Sequence, residues 1–121
     1  MIKITLLGNP RSTQTCYRYR SAGKFISGYM SKECKTLKND YIEQITTQYT
    51  SVPIQTPVRV KMSLLMGTKR RADIDNFNKL VFDALSGIVY EDDSQIIELH
   101  IIKGYDKENP RVELEITPVN N

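Results

Sequence analysis

Residues 58–66 read Val-Arg-Val-Lys-Met-Ser-Leu-Leu-Met, with apolar side chains at 58, 60, 62, 64 and 66 and Arg59, Lys61 and Ser63 between them. Successive side chains of a strand point to opposite faces, so this run specifies a strand with one buried face and one wet face. Such a sheet needs a second layer to cover it. The chain supplies one at helical spacing. Cys34, Leu37, Tyr41, Ile45 and Tyr49 follow at steps of three and four, after Ser31 as a cap and with Glu33 in the first turn; Pro53 and Pro57 stop the pattern. Phe77, Leu80, Val81, Ala84, Leu85 and Ile88 repeat it, with Gly87 placed to end the helix. Ile2–Leu6 alternates as a strand, Gln95–Lys103 is apolar enough for a central strand, and Val112, Leu114 and Ile116 alternate as a last one. The order β, loop, α, β, α, β, β predicts an α/β (α+β) fold. It is a single small domain over residues 1–121, a mixed sheet of about four strands with two main helices on one face.

Several function classes fall away at once. No run approaches the ~18 apolar residues of a membrane span, and the first eight residues are too short for a signal peptide, so membrane insertion and secretion are not expected and a cytoplasmic location is. A single histidine, His100, excludes a histidine-based metal site or triad, and reads as a packed or surface residue of its strand. Cys16 and Cys34 have neither the dense spacing of a disulfide framework nor the paired spacing of a zinc site. Gly8 and Gly67 lack the Gly-Lys-Ser/Thr ending of a phosphate loop, so no nucleotide cofactor is expected.

Charge is divided along the chain. Residues 1–72 hold 13 Lys/Arg against 3 Asp/Glu, and residues 73–121 hold 4 against 11, a net of +10 followed by −7. This suggests a polyanion partner and a separate task for the carboxylates, or two solvated faces that partly neutralise one another. Within residues 11–30, Arg11, Arg18, Arg20 and Lys24 alternate with Tyr17, Tyr19, Phe25 and Tyr29 and show no helical period. The segment reads as a long loop with room for short strand pieces. Its cations suit phosphates and its rings suit exposed bases.

The carboxylates concentrate at two points. Arg70-Arg71-Ala72-Asp73-Ile74-Asp75-Asn76 joins a strand to a helix; Asp75 or Asn76 serves as a helix cap, which leaves Asp73 unexplained. Asp92 and Asp93 begin the strand after that helix, and a hairpin-like return would set them beside Asp73 and Asp75. Three carboxylates without histidine or thiolate make a hard oxygen site suited to Mg²⁺ or Mn²⁺. Lys79 lies four residues after Asp75; it either offsets charge on a phosphate or forms an ordinary ion pair with Asp75 or Asp83.

The run Arg70-Arg71-Ala72-Asp73-Ile74-Asp75-Asn76-Phe77-Asn78-Lys79, then Phe82-Asp83-Ala84-Leu85, then Glu91-Asp92-Asp93-Ser94-Gln95-Ile96, resembles the RusA-type Holliday junction resolvases, small phage-associated endodeoxyribonucleases. The resemblance covers about Val58 to Thr117. In the N-terminal half, where the family has a Pro-Pro-Ser-x-Asn loop, this chain has Pro10-Arg11-Ser12-Thr13-Gln14 before Tyr17-Arg18. The resemblance implies metal-binding aspartates at Asp73, Asp75 and Asp93, with Asp92 as a possible further ligand, and a catalytic lysine at Lys79. It also implies a homodimer, intracellular and of prokaryotic or phage origin, that binds branched DNA. With Mg²⁺, or Mn²⁺ as a substitute, metal-activated water would nick opposing strands of a four-way junction. Arg11, Arg18, Arg20, Lys24, Lys69, Arg70 and Arg71 would hold its arms. The alternatives are a non-catalytic binder of branched DNA and an interaction protein whose acidic half docks a basic partner.

Overall fold

A computed structural model of the chain describes residues 1–12, 16–22, 25–69 and 73–119; for residues 17–22, 25–29 and 75 the description covers the backbone alone. Among the described residues, six strands and two helices follow in the order β1 (Ile2–Leu7), β2 (Tyr17–Ala22), β3 (Phe25–Met30), α1 (Lys32–Gln48), β4 (Val58–Met66), α2 (Asn78–Leu85), β5 (Ile96–Tyr105) and β6 (Arg111–Pro118). Short 3-10 turns at Ile74–Asn76 and Asp93–Gln95 precede α2 and β5.

The main sheet is mixed, in the order β1-β6-β4-β5. β6 pairs antiparallel with both β1 and β4, while β4 and β5 run parallel, joined through α2. The alternation in β4 does what its sequence predicts: Val58, Val60, Met62, Leu64 and Met66 are buried. Beside them lie Ile4 and Leu6 of β1 and Val112, Leu114 and Ile116 of β6. Tyr41 and Ile45 of α1 and Leu80, Val81, Ala84 and Leu85 of α2 complete this core. Truncating any one of the fully buried leucines to alanine costs about 2–5 kcal/mol by lost transfer energy and the cavity left behind.

Ser31 caps α1 as its sequence predicts, its hydroxyl accepting from the Cys34 N–H. The cap of α2 differs from expectation. Phe77 occupies that position, without a side-chain cap bond, and its buried ring anchors the helix start. Gly87 has φ +82°, the left-handed conformation that ends the helix as expected.

Three further differences matter for function. Within the segment read as a long loop, β2 and β3 form an antiparallel hairpin, Arg18 opposite Tyr29 and Arg20 opposite Ser27. Cys16 and Cys34 are joined in a disulfide with Cα atoms 5.5 Å apart. This is one staple, invisible to spacing arguments because only the hairpin's fold brings position 16 beside α1. Finally, β5 is an edge strand, not a central one.

The opposite edge is closed. On α1, Gln44 and Gln48 present their amides to β1 as another strand would. Gln48 accepts from the Thr5 N–H (2.8 Å) and donates to the Thr5 carbonyl (2.7 Å), and Gln44 does the same at Leu7 (2.7 and 3.3 Å). These bonds satisfy the backbone groups that an edge strand otherwise offers to a passing chain.

Candidate nucleic-acid interface and acidic site

The basic hairpin is fixed at its base. The Ser31 N–H donates to the Cys16 carbonyl at 2.8 Å, and the disulfide ties the same residue to the first turns of α1. Arg18 and Arg20 occupy alternate positions of β2. Their side chains, and Lys24 as a whole, lie outside the described residues. Arg11 is exposed just before the hairpin.

At the exit of β4 three chain segments meet. The Gly67 N–H donates to Asn9 Oδ1 at 2.8 Å, and the Gly8 N–H to the Pro110 carbonyl at 3.2 Å. A Cβ on Gly67 would sit 3.2 Å from Asn9 Oδ1 and 3.3 Å from Pro110, so the close approach favours glycine. Lys69 follows, its ammonium 5.1 Å from the centroid of the Tyr105 ring at the end of β5, a cation–π contact. Arg70 and Arg71 lie outside the described residues. Asp73 is exposed, and its carbonyl accepts from the Asn76 N–H (3.2 Å) to close the 3-10 turn. Asp75 sits inside that turn; its side chain is not described. Lys79, in the first turn of α2, is well exposed, with its ammonium 3.9 Å from Asp83 Oδ2.

Beyond α2 the chain turns on Gly87, whose N–H donates to the Tyr90 carbonyl (2.7 Å), and on buried Tyr90, whose hydroxyl donates to the Phe82 carbonyl (3.0 Å). Burial pushes the Tyr90 phenol well above its ordinary pKa, with nearby Asp93, Asp83 and Asp92 adding to the shift, so it stays a neutral donor. The acidic turn comes next, and Gln95 organises it. Gln95 Oε1 accepts from the N–H groups of Glu91 and Asp92, both at 2.9 Å. Its Nε2 donates to the carbonyls of Ile54 and Thr56, both at 2.8 Å. Asp92 completes a capping box by accepting from the Ser94 N–H at 3.0 Å, and these hydrogen bonds hold its carboxyl below the usual range. The two neighbouring aspartates are thereby divided: the Asp92 carboxylate secures the turn, and half-buried Asp93 contributes its backbone to that cap.

In chain order Asp73 precedes α2, and Asp92 and Asp93 follow it. Among the described residues no three His, Cys, Asp or Glu side chains lie close enough together to hold one ion. The sheet's open face answers the charge question in part. Arg59 pairs with Glu98 at 2.9 Å, and Lys3 and Lys61 both stand opposite Glu115 in the strand register. One cation of the basic half is thus paired by the acidic half and two more face a single carboxylate between them, while Arg11 and Lys69 are both exposed. His100 is exposed and lies 3.2 Å from Glu98, so it is a surface residue.

Gln95 is the residue whose task sequence reasoning passed over. Its signal was present in Asp92-x-x-Gln95, the spacing of a capping box. The disulfide had no such signal.

Comparison with known proteins shows the family. The family model described as endodeoxyribonuclease RusA matches residues 8–117. The chain is 27% identical over 113 residues to the crossover junction endodeoxyribonuclease RusA of Shigella sonnei, covering 93% of this chain and 91% of that protein. It has the same identity and coverage with the RusA of Enterobacteria phage 82. With the RusA of Escherichia coli K12 it is 26% identical over 117 residues, again covering 93% of this chain and 91% of the relative. A match to the family model across nearly the whole domain makes this chain a member of the RusA endodeoxyribonuclease family.

Proposed function

We propose that this chain is a Mg²⁺-dependent, structure-selective endodeoxyribonuclease that resolves four-way DNA junctions as a homodimer, inside the cell. The family match over residues 8–117 carries the reading. The donor chemistry supports it: the cysteines are joined to each other and the only histidine lies on the exposed edge strand, so the acids are left as the ligands, and they favour a hard cation. Asp73 and Asp75 would hold the ion from the loop before α2, and Asp93 from the turn beyond it, with Asp92 kept by its cap. Mn²⁺ would substitute for Mg²⁺. When bound, such an ion polarises the scissile phosphate and lowers the pKa of a water ligand.

The chain's own residues do the rest. Lys79, exposed in the first turn of α2, offsets charge building on the phosphate. Arg11, Arg18, Arg20, Lys24, Lys69, Arg70 and Arg71 hold the backbone of the arms, displacing counterions. A four-way junction has approximate twofold symmetry, and each chain offers one Asp-x-Asp turn, so two symmetric cuts take two chains.

The test is a divalent-ion titration on a synthetic four-way junction, with Asp73→Asn, Asp75→Asn and Asp93→Asn beside the wild type. Wild-type protein should cut in Mg²⁺. Each variant should lose cleavage yet bind the junction as tightly or more so, because a negative charge near phosphate is gone. Retained nicking at the wild-type rate removes that residue from the site, and an intact junction in both Mg²⁺ and Mn²⁺ makes the wild-type protein a binder only.

A further inference from the structure

We infer that the outer edge of β5 is a self-pairing surface on which a second copy of this chain adds its own β5 antiparallel, with Leu99 on the twofold axis. This deepens the paired-subunit reading above, and rests on it, by naming where the two chains meet. β5 is a long edge strand of ten residues, and no described strand pairs with its outer side. It carries Ile97 (59% exposed), Leu99 (37%), Ile102 (50%) and Tyr105 (46%), half of the exposed large apolar side chains among the described residues. Long apolar edges are templates for another chain. The β1 edge, by contrast, is already closed by Gln44 and Gln48.

The sequence of the edge identifies the occupant. Residues 96–102 read Ile-Ile-Glu-Leu-His-Ile-Ile, a mirror pattern about Leu99 whose only unlike pair is Glu98 and His100. Twofold antiparallel pairing sets each residue before Leu99 opposite the one equally far after it on the other copy. Leucine then meets leucine on the axis, and Glu98 of each copy meets an imidazole of the other, twice by symmetry. Opposite residues of an antiparallel pair point to the same side of the sheet, so these contacts form without rotating either chain. Isoleucines flank the centre on both sides, and the register irregularity of the β4–β5 pair falls at Ile97, outside the central three residues. A copy laid parallel would set Glu98 beside Glu98.

The register is tested by disulfide trapping in otherwise native protein. In Leu99→Cys the two thiols face each other across the axis, with Cα atoms about 4.5–5.5 Å apart, within disulfide reach. In Ile102→Cys they lie about 20 Å apart along the strands. Mild oxidation should give at least tenfold more covalent dimer from Leu99→Cys than from Ile102→Cys or the wild type, whose cysteines are already joined to each other. Sedimentation gives a second, independent reading. His100→Glu should raise the dimer dissociation constant about tenfold by setting like charges opposite each other, and adding Glu98→His should restore it. Equal trapping at both positions, no rescue by the exchange, or a wild-type chain that sediments as a monomer overturns the proposal and leaves the edge to another partner. Neither measurement uses DNA, so a trapped dimer that leaves junctions uncut refutes the nuclease reading and not this one.

Discussion

Gln95→Leu is the substitution for which the structure gives the fullest expectation. The side chain makes four hydrogen bonds of 2.8–2.9 Å, two accepted from the acidic turn and two donated to the segment before β4. Each is worth a net ~0.5–1.5 kcal/mol. Three of the four lie where water replaces the lost partner, and the Ile54 carbonyl is the part-buried exception. The total is therefore nearer the low end, about 2 kcal/mol, which for a domain of this size lowers Tm by roughly 8 °C. Leucine keeps the volume, so the loss reports the hydrogen bonds and not a cavity. Gln95→Glu separates the two pairs of bonds. Its carboxylate still accepts from Glu91 and Asp92 but has nothing to donate to the carbonyls of Ile54 and Thr56, so it should recover less than half of the loss. Thermal melts supply the stability figure. Junction cleavage against Mg²⁺ concentration supplies the functional one, because a loosened turn presents Asp93 less firmly and more metal is needed, while junction binding without divalent ions stays unchanged. A Gln95→Leu protein melting within about 2 °C of the wild type refutes the claim that these bonds hold the turn.

Reduction of the Cys16–Cys34 bridge, or Cys34→Ser, should lower stability by up to about 3 kcal/mol in denaturant titration, the chain-entropy value for a loop of this length, and weaken junction binding as the hairpin base loosens. Arg18→Ala with Arg20→Ala should weaken junction binding and flatten the slope of log affinity against log salt; an unchanged slope means these arginines leave the phosphates untouched. The hydrogen bond from Arg111 holds the Asp106 carboxyl below its ordinary range. The stability this pair contributes is therefore present above about pH 4 and lost as pH falls through the depressed folded value. Melts of Asp106→Asn should accordingly trail the wild type at neutral pH and converge with it near about pH 2.

What the sequence made legible follows from range. β4 and β6 were readable because one-sided burial imposes a strict two-residue period, and α1 because Ser31 and the three-and-four spacing are local signals. The hairpin at 17–30 was not, because its alternation interleaves cations with aromatic rings and offers no apolar face to count. The cap of α2 was misplaced because Asp75 and Asn76 have the right chemistry for a cap while the buried Phe77 ring sets where the helix begins. At the site, residue types were legible because Asp73 and Asp93 are recognisable in any acidic motif. The division of labour between Asp92 and Asp93 depends on which carboxylate reaches the Ser94 N–H, which only the backbone at that turn decides.

The misreading of β5 is the informative one. Its composition predicts a central strand, and the main sheet places it at an edge. Composition reports the surroundings in which a strand spends its folded life, and five of the seven residues from Ile96 to Ile102 are isoleucine or leucine, more than an exposed edge calls for. Among the described residues nothing on this edge does the work of Gln44 and Gln48 on the other, and no proline interrupts residues 96–102. On the pairing proposed above, the edge closed by two glutamines stops growth, and the long, apolar edge with the mirror-symmetric sequence accepts a copy of the chain. In the paired sheet β5 gains a second neighbour, β1 still ends the sheet at both extremes, and assembly stops at two. The strand is then central, as its composition predicts, in the dimer and not in the monomer.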